Sequence, residues 1–285
     1  MPKNYIITSG VILAAGYSRR LQKLTGGLSK LLLPIGNMPL FLYPLLSLQA
    51  NGINKFCIVA NTRNYAHLTY ILNAVGNVDY NLILNPEPRL GNGYSFLLSK
   101  KCFSREPFVL SMGDHIYHPR IVKKLLSEFA GDVDIIVGGD SDPRFINVDE
   151  ATKIFTKNGN VVRIGKRLKK YTHIDIGVFV FQPTIFELIE DNHFDTGFSM
   201  SDVVNMAVRA GLTVKVVDIK GDYWTEVDIP YDYNQLIKGS RRVVLKNVKR
   251  YIKLTRRQKT ILKNFVETIP LKSSSKFNEL KHSES

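Results

Sequence analysis

Short apolar runs rich in β-branched residues alternate with longer stretches of helical periodicity through the first 240 residues. Runs of this length and composition are typical of buried strands, and the stretches between them are long enough for helices. The predicted strands are 9–13, 55–60, 81–85, 107–112, 134–138, 151–156, 177–181 and 213–218. The predicted helices are 39–50, 65–75, 93–99, 119–129, 183–190 and 201–210.

Strands separated by helices of this size predict an α/β fold with three layers, α/β/α. Its centre would be a Rossmann-like, mostly parallel mixed sheet with helices on both faces. Ligands of such sheets bind beyond the carboxyl ends of the strands, where the strand order reverses. We therefore expect a site beside the residues that follow strands 9–13 and 107–112.

The charge of the chain is unevenly distributed. The chain has 285 residues, of which 44% are hydrophobic, and a formal net charge of +14. From Arg241 to Ser285 there are 13 Lys and Arg against 3 Glu, which leaves a surplus of only about four charges for the first 240 residues. The excess belongs to the C-terminus, so whole-chain basicity does not indicate nucleic-acid binding.

Composition changes near residue 238, which predicts a domain over 1–238 and a basic, helical or disordered tail over 239–285. Residues 241–263 carry ten basic side chains and no acid, interleaved with apolar residues. The segment after Pro270 is polar and is predicted to be disordered. The basic segment is either a solvated helix that packs on the core through its apolar residues, or an element that docks on a partner or an anionic membrane surface.

The two cysteines, Cys57 and Cys102, are predicted to be small buried hydrophobic residues, because two are too few for a disulfide framework. No signal-peptide pattern precedes the first strand, which favours a reducing cytoplasm. The longest apolar stretch, 31–48, contains three prolines and is shorter than the roughly 20 residues of a membrane span. We expect a cytoplasmic protein, or one peripheral to a membrane.

The most informative stretch follows the first predicted strand. Small residues there let a backbone approach a base or phosphate closely, and free N–H groups after a turn favour anions. The stretch consists of Leu13, Ala14, Ala15 and Gly16. Arg20 and Lys30 follow it and would supply the positive charge that a triphosphate requires.

Acidic residues occur in two segments, one after a predicted strand and one near the end of the apolar pattern. Asp114 comes directly after strand 107–112, where a carboxylate can hold Mg2+ against nucleotide phosphates or cap a turn. Glu226 and Asp228 follow Trp224 in a second acidic segment. Mg2+ needs few protein ligands, so Asp114 and Asp228 would suffice.

These stretches together resemble the signature of the nucleotidyltransferases that join a nucleoside triphosphate to a phosphorylated sugar or alcohol. Ser18 stands where that family usually has a second glycine. Asp228 takes the position of the second metal-binding aspartate in the family's W-x-D-[IV]-D-T-P-x-D segment, and Glu226 replaces the first. The resemblance implies Mg2+ on Asp114 and Asp228, with Arg20 and Lys30 on the phosphates.

The resemblance also implies where base and ribose are held. A glycine-punctuated loop lies between a predicted strand and a helix, although a plain turn there would need no ligand. Its predicted nucleotide-binding residues are Asn85, Glu87, Gly91, Asn92 and Gly93.

The acceptor's phosphate is gripped in this family by a lysine after an acidic residue, and Lys166 occupies the matching place. Lys153, on a neighbouring strand, is a second candidate, and Arg144 lies in a further cationic loop. Asp175, just before Gly177, would accept hydrogen bonds from acceptor hydroxyls. Each lysine is otherwise an ordinary solvated surface charge.

Several separated segments are similar to one subgroup, the inositol-1-phosphate cytidylyltransferases. They span about residues 8–235 and are 85–95, 113–117, 142–145, 150–153 and 162–166. The resemblance implies that CTP and inositol 1-phosphate react to give CDP-inositol for di-myo-inositol phosphate, an osmolyte of heat-loving prokaryotes. In that subgroup a membrane CDP-alcohol phosphotransferase, often fused to this domain, performs the next step.

The implied reaction is attack of an acceptor phosphate oxygen on the α-phosphorus of CTP, with pyrophosphate leaving. The acceptor phosphate is already an anion near neutral pH, so positioning and charge neutralisation would carry catalysis. Arg20, Lys30, Asp114 and Lys166 are the predicted catalytic residues.

Three alternatives remain open from sequence. The chain could act on a sugar 1-phosphate or phosphocholine with UTP, dTTP or CTP. It could instead be a non-catalytic protein that senses nucleotide-linked ligands, although a sensor would not need the metal carboxylates. Specific nucleic-acid binding is disfavoured, since the tail lacks interleaved stacking aromatics and would attract nucleic acid only unspecifically. The oligomeric state is not predicted.

Overall fold

The computed structural model describes residues 6–103, 105–190 and 196–271. Its centre is a nine-stranded mixed sheet of order β5-β4-β1-β6-β11-β8-β12-β10-β9, in which β9 also pairs with β11. These strands are β1 (Ser9–Leu13), β4 (Lys55–Ala60), β5 (Asp79–Leu84), β6 (Phe108–Met112), β8 (Ile135–Asp140), β9 (Lys153–Lys157), β10 (Asn160–Gly165), β11 (His173–Phe181) and β12 (Val214–Asp218). Two short pairs lie outside it, β2 (Pro34–Ile35) with β3 (Met38–Pro39) and β7 (His115–Tyr117) with β13 (Trp224–Glu226).

Helices cover both faces of the sheet. They are α1 (Gln22–Thr25), α2 (Leu42–Gln49), α3 (Tyr65–Val75), α4 (Asn92–Leu98), α5 (Pro119–Ser127), α6 (Ile185–Glu190), α7 (Met200–Arg209), α8 (Pro230–Ile237), α9 (Arg242–Lys249) and α10 (Arg256–Glu267). In the part of the chain that the structure describes, no helix combines the length and apolar character needed to cross a bilayer.

Alternate residues of the central strands belong to two separate hydrophobic clusters, because successive side chains of a strand point to opposite faces. Ile12 and Ile58 contribute to the first cluster, with side chains of α2, α3 and α5. Val11 and Val59 contribute to the second, with side chains of α4, α6 and α7. The predicted three-layer α/β/α class with a mixed sheet is confirmed. The sheet is less parallel than predicted, because four of its nine strand pairings are parallel and five are antiparallel.

The topology brings the predicted site to one edge of the sheet. β1 pairs in parallel with β4 and β6, and Leu13 lies opposite Met112 at the carboxyl ends. β11 runs antiparallel to β6, with Val178 opposite Ser111, so the beginning of β11 reaches the same edge. The glycine turn after β1, Asp114 after β6 and Asp175 on β11 therefore come together.

The β7–β13 pair carries the acidic segment to this edge. Thr225 lies opposite Ile116, and Glu226 opposite His115. Val227 N donates to Asp114 O over 3.2 Å, so the backbones of the two acidic segments are joined directly.

Two helices of the basic C-terminal segment pack on the first hydrophobic cluster. Val244 and Val248 of α9 and Leu262 of α10 are fully buried, and the Phe265 ring stacks on Tyr70 of α3 at a centroid distance of 5.3 Å. The apolar residues of this segment therefore contact the core. Residues 272–285, part of the segment predicted to be disordered, lie outside the described residues, and the division at residue 238 stays a prediction.

The prediction that Cys57 and Cys102 are only small buried hydrophobic residues is wrong. Cys57 and Cys102 form a disulfide, with their Cα atoms 6.0 Å apart. β4 and the turn after α4 lie side by side, although the two residues are 45 positions apart in sequence. Sequence spacing carries no signal for this proximity, and cysteine usage gives no support for a reducing compartment.

Candidate active site

The turn after β1 is held by its own serine. Ser18 has φ 57° and ψ 31°, the left-handed conformation that favours glycine and is open to few other residues. Its Oγ accepts a hydrogen bond from Lys30 N over 2.8 Å. Serine therefore replaces the family's glycine with a contact that ties the turn to Lys30.

Two buried asparagines fix the backbone of the same turn. Asn61 Nδ2 donates to Ala15 O over 2.8 Å, and Asn64 Nδ2 donates to Ala14 O over 2.7 Å. These bonds satisfy the carbonyls and leave the opposite side of the turn facing the site. Sequence reasoning missed both residues, because nothing near them in the chain indicates which carbonyls they meet.

Lys30 joins the two predicted metal carboxylates. Its Nζ lies 2.6 Å from Asp114 Oδ2 and also forms an ion pair with Asp228 Oδ1. Burial alone would lower the pKa of Lys30, but the two carboxylates outweigh burial and raise it. Burial would likewise raise the pKa of each acid, yet Lys30 holds the pKa values of Asp114 and Asp228 below their usual range.

His115 supports Asp114 from the other side. Its Nδ1 lies 2.7 Å from Asp114 Oδ1, and its Nε2 lies 3.5 Å from Glu226 Oε2. Burial would lower the pKa of His115, but Asp114 and Glu226 raise it to about 9. Burial raises the pKa of Glu226 to about 7 against the opposing effect of His115. A protonated His115 thus lies between two acids.

Asp175 is held beside His115 by a bend in β11. Gly177 has φ +67°, and an added Cβ would lie 2.7 Å from His115 Nε2, so this position requires glycine. Gly177 N donates to Asp175 Oδ1 over 2.8 Å. Burial nevertheless raises the pKa of Asp175 to about 6.

Two cavities meet at Asp114. The smaller, about 140 Å³, is lined by the turn after β1, Lys30, Gly91, Asn92 and Asp114. The larger, about 1040 Å³, is lined by both basic and acidic side chains. Its polar lining includes Asn92, Asp114, Glu150, Arg163, Lys166, Arg167, Asp175, Glu226 and Asp228. Asn92, Met112 and Asp114 line both cavities.

Most predicted nucleotide-binding residues lie at the small cavity. The turn residues that line it are Leu13, Ala14, Ala15 and Gly16. Asn85 and Glu87 line neither cavity. Asn85 is buried and holds its own loop, because its Nδ2 donates to Ser95 Oγ over 2.9 Å and its Oδ1 accepts from Glu87 N. Gly93 packs under the loop, where its N donates to Phe198 O over 3.0 Å.

The predicted acceptor residues separate into two groups. Lys166, Asp175 and Gly177 line the larger cavity. Lys153 does not, since its buried Nζ donates to the carbonyls of Asp149, Ala151 and Lys166 over 3.0, 3.2 and 3.4 Å, and so supports the loop that carries Lys166. The exposed Arg144 forms an ion pair with Asp142 and lies outside both cavities.

Arg20 lines neither cavity but pairs with two acids that line the larger one. Its guanidinium is 2.8 Å from Asp228 Oδ2 and 3.4 Å from Glu150 Oε2. The side chain is 47% exposed, which leaves its remaining donors accessible. Arg20 can therefore reach an anion beside Asp228 without leaving the protein surface.

A mixed α/β sheet with a glycine turn, two facing cations and paired carboxylates at one edge defines a nucleotide-handling transferase. The chain belongs to the nucleotidyl transferase family, whose model matches residues 9–238.

Two known relatives show which members of the family the chain is similar to. The chain is 34% identical over 238 residues to the bifunctional IPC transferase and DIPP synthase of Thermococcus kodakarensis, covering 83% of this chain and 50% of that protein. The enzyme of the same name from Archaeoglobus fulgidus is 33% identical over 226 residues, covering 79% and 42%. The chain thus spans about half the length of these curated relatives.

A solved structure agrees over nearly the whole chain. The inositol-1-phosphate CTP transferase from T. maritima superposes with a TM-score of 0.80 at 30% sequence identity, covering 88% of this chain and all of that one. The predicted membership in the nucleotidyltransferases, and the similarity to inositol-1-phosphate cytidylyltransferases, are confirmed.

Proposed function

We propose that this protein joins CTP and myo-inositol 1-phosphate to CDP-inositol and pyrophosphate. The observation that carries the proposal is that Asp114 lines two cavities of different chemistry. Two phosphate-bearing molecules, one in each cavity, would meet at this carboxylate. The named activity of the T. maritima structure supports the choice of substrates.

The small cavity suits the nucleotide. The backbone after β1 approaches the cavity without bulky side chains in the way, and Lys30 lines its wall. Lys30 and Arg20 would contact the β- and γ-phosphates and neutralise charge as these become pyrophosphate.

The larger cavity suits a phosphorylated polyol. Lys166 and its basic neighbours Arg163 and Arg167 would bind the acceptor phosphate. Asp175 and Glu226, which line the same cavity, would accept hydrogen bonds from hydroxyls. A cavity lined by both cations and carboxylates fits a molecule with one phosphate and many hydroxyls.

The reaction needs no proton acceptor at the attacking atom. A phosphate oxygen of the acceptor forms a bond to the α-phosphorus of CTP, and the bond between the α-phosphorus and the bridging oxygen to the β-phosphorus breaks. The electron pair leaves on pyrophosphate. Lys166 would screen the repulsion between the two substrates, and Arg20 and Lys30 would stabilise the departing charge.

The acidic pair fits a Mg2+ ion. Asp114 and Asp228 converge on one cation, the Lys30 ammonium, so their oxygens already face a common point. In residues 6–103, 105–190 and 196–271, no group of three or more His, Cys, Asp or Glu forms a complete metal cage. Mg2+ commonly binds through one or two carboxylates and substrate phosphates, and when bound it would neutralise charge on the α-phosphate.

Pyrophosphate release tests the substrates. The protein would be assayed with ATP, CTP, GTP, UTP and dTTP against inositol 1-phosphate, glucose 1-phosphate and phosphocholine. The highest kcat/KM is expected for CTP with inositol 1-phosphate, and a preference for another pair would overturn the assignment. Asp114→Asn should lower kcat by about 10²-fold or more, whereas Asp132→Asn, at a carboxylate that is 78% exposed, should change kcat little.

The basic C-terminal segment suggests that the reaction takes place at a membrane surface. We propose that exposed side chains of α9 and the following loop contact anionic membrane, beside a membrane CDP-alcohol phosphotransferase that would use CDP-inositol for di-myo-inositol phosphate. Arg242, Lys246 and Arg250 are spaced four residues apart and are exposed, so they share one helix face. When it is not bound to a membrane, the protein would be in the cytoplasm.

Flotation with vesicles tests this location. The unmodified protein should float with phosphatidylserine vesicles and less with phosphatidylcholine vesicles. The Lys246→Glu, Arg250→Glu variant should lose the difference. Equal recovery of both proteins with anionic vesicles would overturn the membrane proposal.

A further inference from the structure

A buried ion pair joins the C-terminal segment to the acidic segment of the site. Arg241, the residue before α9, has its Nη1 2.9 Å from Asp232 Oδ1, and both side chains are only 6% exposed. This pair lies at the junction of α8 and α9, where Arg241 also contacts Thr225 of β13, the strand that carries Glu226. The function described above assigns it no role.

Asp232 uses its other oxygen to hold the backbone of Asp228. Its Oδ2 accepts hydrogen bonds from the backbone N–H groups of Asp228 and Ile229, each over 3.0 Å. A carboxylate with both oxygens engaged cannot rotate freely. The peptide that carries Asp228 is therefore fixed by the same side chain that pairs with Arg241.

Arg241 also holds the other end of the acidic segment. The same Nη1 donates to Thr225 Oγ1 over 3.2 Å, and Thr225 Oγ1 donates to Phe145 O over 2.7 Å. Thr225 and Asp228 lie on either side of Glu226 and Val227. One guanidinium nitrogen thus restrains both ends of the segment that faces Asp114.

The helix that follows anchors Arg241. Val244 and Val248 of α9 are fully buried in the hydrophobic cluster that also contains Ile116 and Tyr117 of β7. Since β7 follows Asp114 and pairs with β13, the same helix backs both acidic segments. Its burial keeps Arg241 from moving away from Asp232.

We propose that Arg241 and Asp232 are positioning residues that orient the Asp228 carboxylate for the cation of the nucleotide complex. This proposal rests on the proposed function, and it makes the start of the basic C-terminal segment part of the catalytic unit. Partners that orient a ligating side chain typically change metal affinity by about 10- to 100-fold when removed. The effect should therefore appear in metal-dependent binding, and not only in folding.

Calorimetric binding of CTP measures this effect directly. The quantity is the ratio of the CTP dissociation constant in EDTA to that in excess Mg2+. Arg241→Met and Asp232→Asn should lower the ratio roughly 10-fold or more, while Arg241→Lys, which keeps a charged donor, should restore most of it. Thr225→Val removes only one hydroxyl contact of Arg241, so the ratio can be measured with this variant if Arg241→Met does not fold.

Two comparisons distinguish positioning from general stabilisation. Val244→Ala on α9 should lower Tm without changing the ratio. In an Asp228→Asn background, Arg241→Met should lower Tm again but leave the ratio unchanged, because the carboxylate to be oriented is already absent. An unchanged ratio in Arg241→Met alone, or a further fall in the Asp228→Asn background, would overturn the proposal.

The proposed function fails separately from this inference. Should the wild-type protein bind CTP but release no pyrophosphate with inositol 1-phosphate, the substrate assignment falls and the ratio remains measurable. Should it bind another triphosphate instead, the same ratio is measured with that nucleotide.

Discussion

Lys30 Nζ lies 2.6 Å from Asp114 Oδ2, and both side chains line the small cavity. Because Lys30 also pairs with Asp228, one ammonium serves as the counter-ion of two acids that approach from separate elements. The same ammonium lines the small cavity together with the turn after β1. Its position therefore links the folding of the acidic edge to the proposed binding of a triphosphate.

Replacing Lys30 by methionine should lower kcat by about 10²- to 10³-fold, the usual effect of removing one preorganised charge from a transition state. The substitution also leaves Asp114 and Asp228 without their shared counter-ion, so Tm should fall. Steady-state kinetics and a thermal melt check both. Lys23→Met, at an exposed lysine of α1, is the matched control, and comparable losses in both variants would contradict the role of Lys30.

The pKa of His115, raised to about 9, predicts a loss of stability in alkali. Its proton is bound more tightly in the folded state than in the unfolded state, where the pKa is near 6.5. The extra stability is full below pH 6.5 and is lost as pH rises through 9, and it amounts to roughly 3 kcal/mol. Urea unfolding in EDTA between pH 6 and 10 should show this fall, and His115→Gln should remove it.

The raised pKa of Asp175 predicts a second change of stability with pH, at acidic values. Burial raises its pKa to about 6, so the folded state holds a proton that the unfolded chain releases nearer pH 4. Stability from this residue is full below pH 4 and declines as pH rises through 6. The Asp175→Asn variant should gain stability relative to wild type over that window, by at most about 3 kcal/mol. A constant difference between the two proteins from pH 4 to 7 would contradict the raised pKa.

Local pattern was sufficient for the elements that lie in the core. The predicted strands 9–13 and 55–60 and the helix 65–75 have the observed bounds, since each is a clear apolar run or a clear helical period. The prediction missed β2, β3, β7, β10 and β13. β2 and β3 have two residues each, and β7 and β13 have three residues each and pair with one another. In β10 an irregularity between Val161 and Arg163 interrupts the alternation of exposed and buried residues.

Sequence identified the charged groups of the site more readily than the residues that hold them. Arg20, Lys30, Asp114 and Asp228 stand in recognisable motifs and come together as expected. Asn61 and Asn64 act through partners 46 and 50 residues away in the chain, and Arg241 through partners 9 and 16 residues away. A lone asparagine or arginine has no distinguishing pattern. Asn85 and Lys153 also stand in recognisable motifs, but their polar atoms form hydrogen bonds within the protein and do not line either cavity.

The Cys57–Cys102 disulfide predicts a measurable contribution to stability. It closes a loop of 45 residues of separation, which restricts the unfolded chain by about 4 kcal/mol in the loop-entropy model. Cys102→Ser should therefore lower Tm under non-reducing conditions. With a strong reductant present, wild type and variant should converge. Two reactive thiols in the unfolded, unreduced wild-type protein would show that the bond is absent.

Gly91→Ala should weaken nucleotide binding. Gly91 has φ +97°, a conformation that other residues rarely adopt, and an added Cβ would lie 2.0 Å from the backbone oxygen of Phe198. The loop must shift to relieve this contact, and Gly91 and Asn92 both line the small cavity. KM for CTP should rise about 10-fold, with a smaller rise in KM for inositol 1-phosphate. Gly27→Ala is the matched control, because Gly27 has a similar φ of +93° with nothing within 4 Å of an added Cβ. If both variants lose stability equally and neither changes KM for CTP, backbone strain alone explains the substitutions, and the loop that contains Gly91 does not hold the nucleotide.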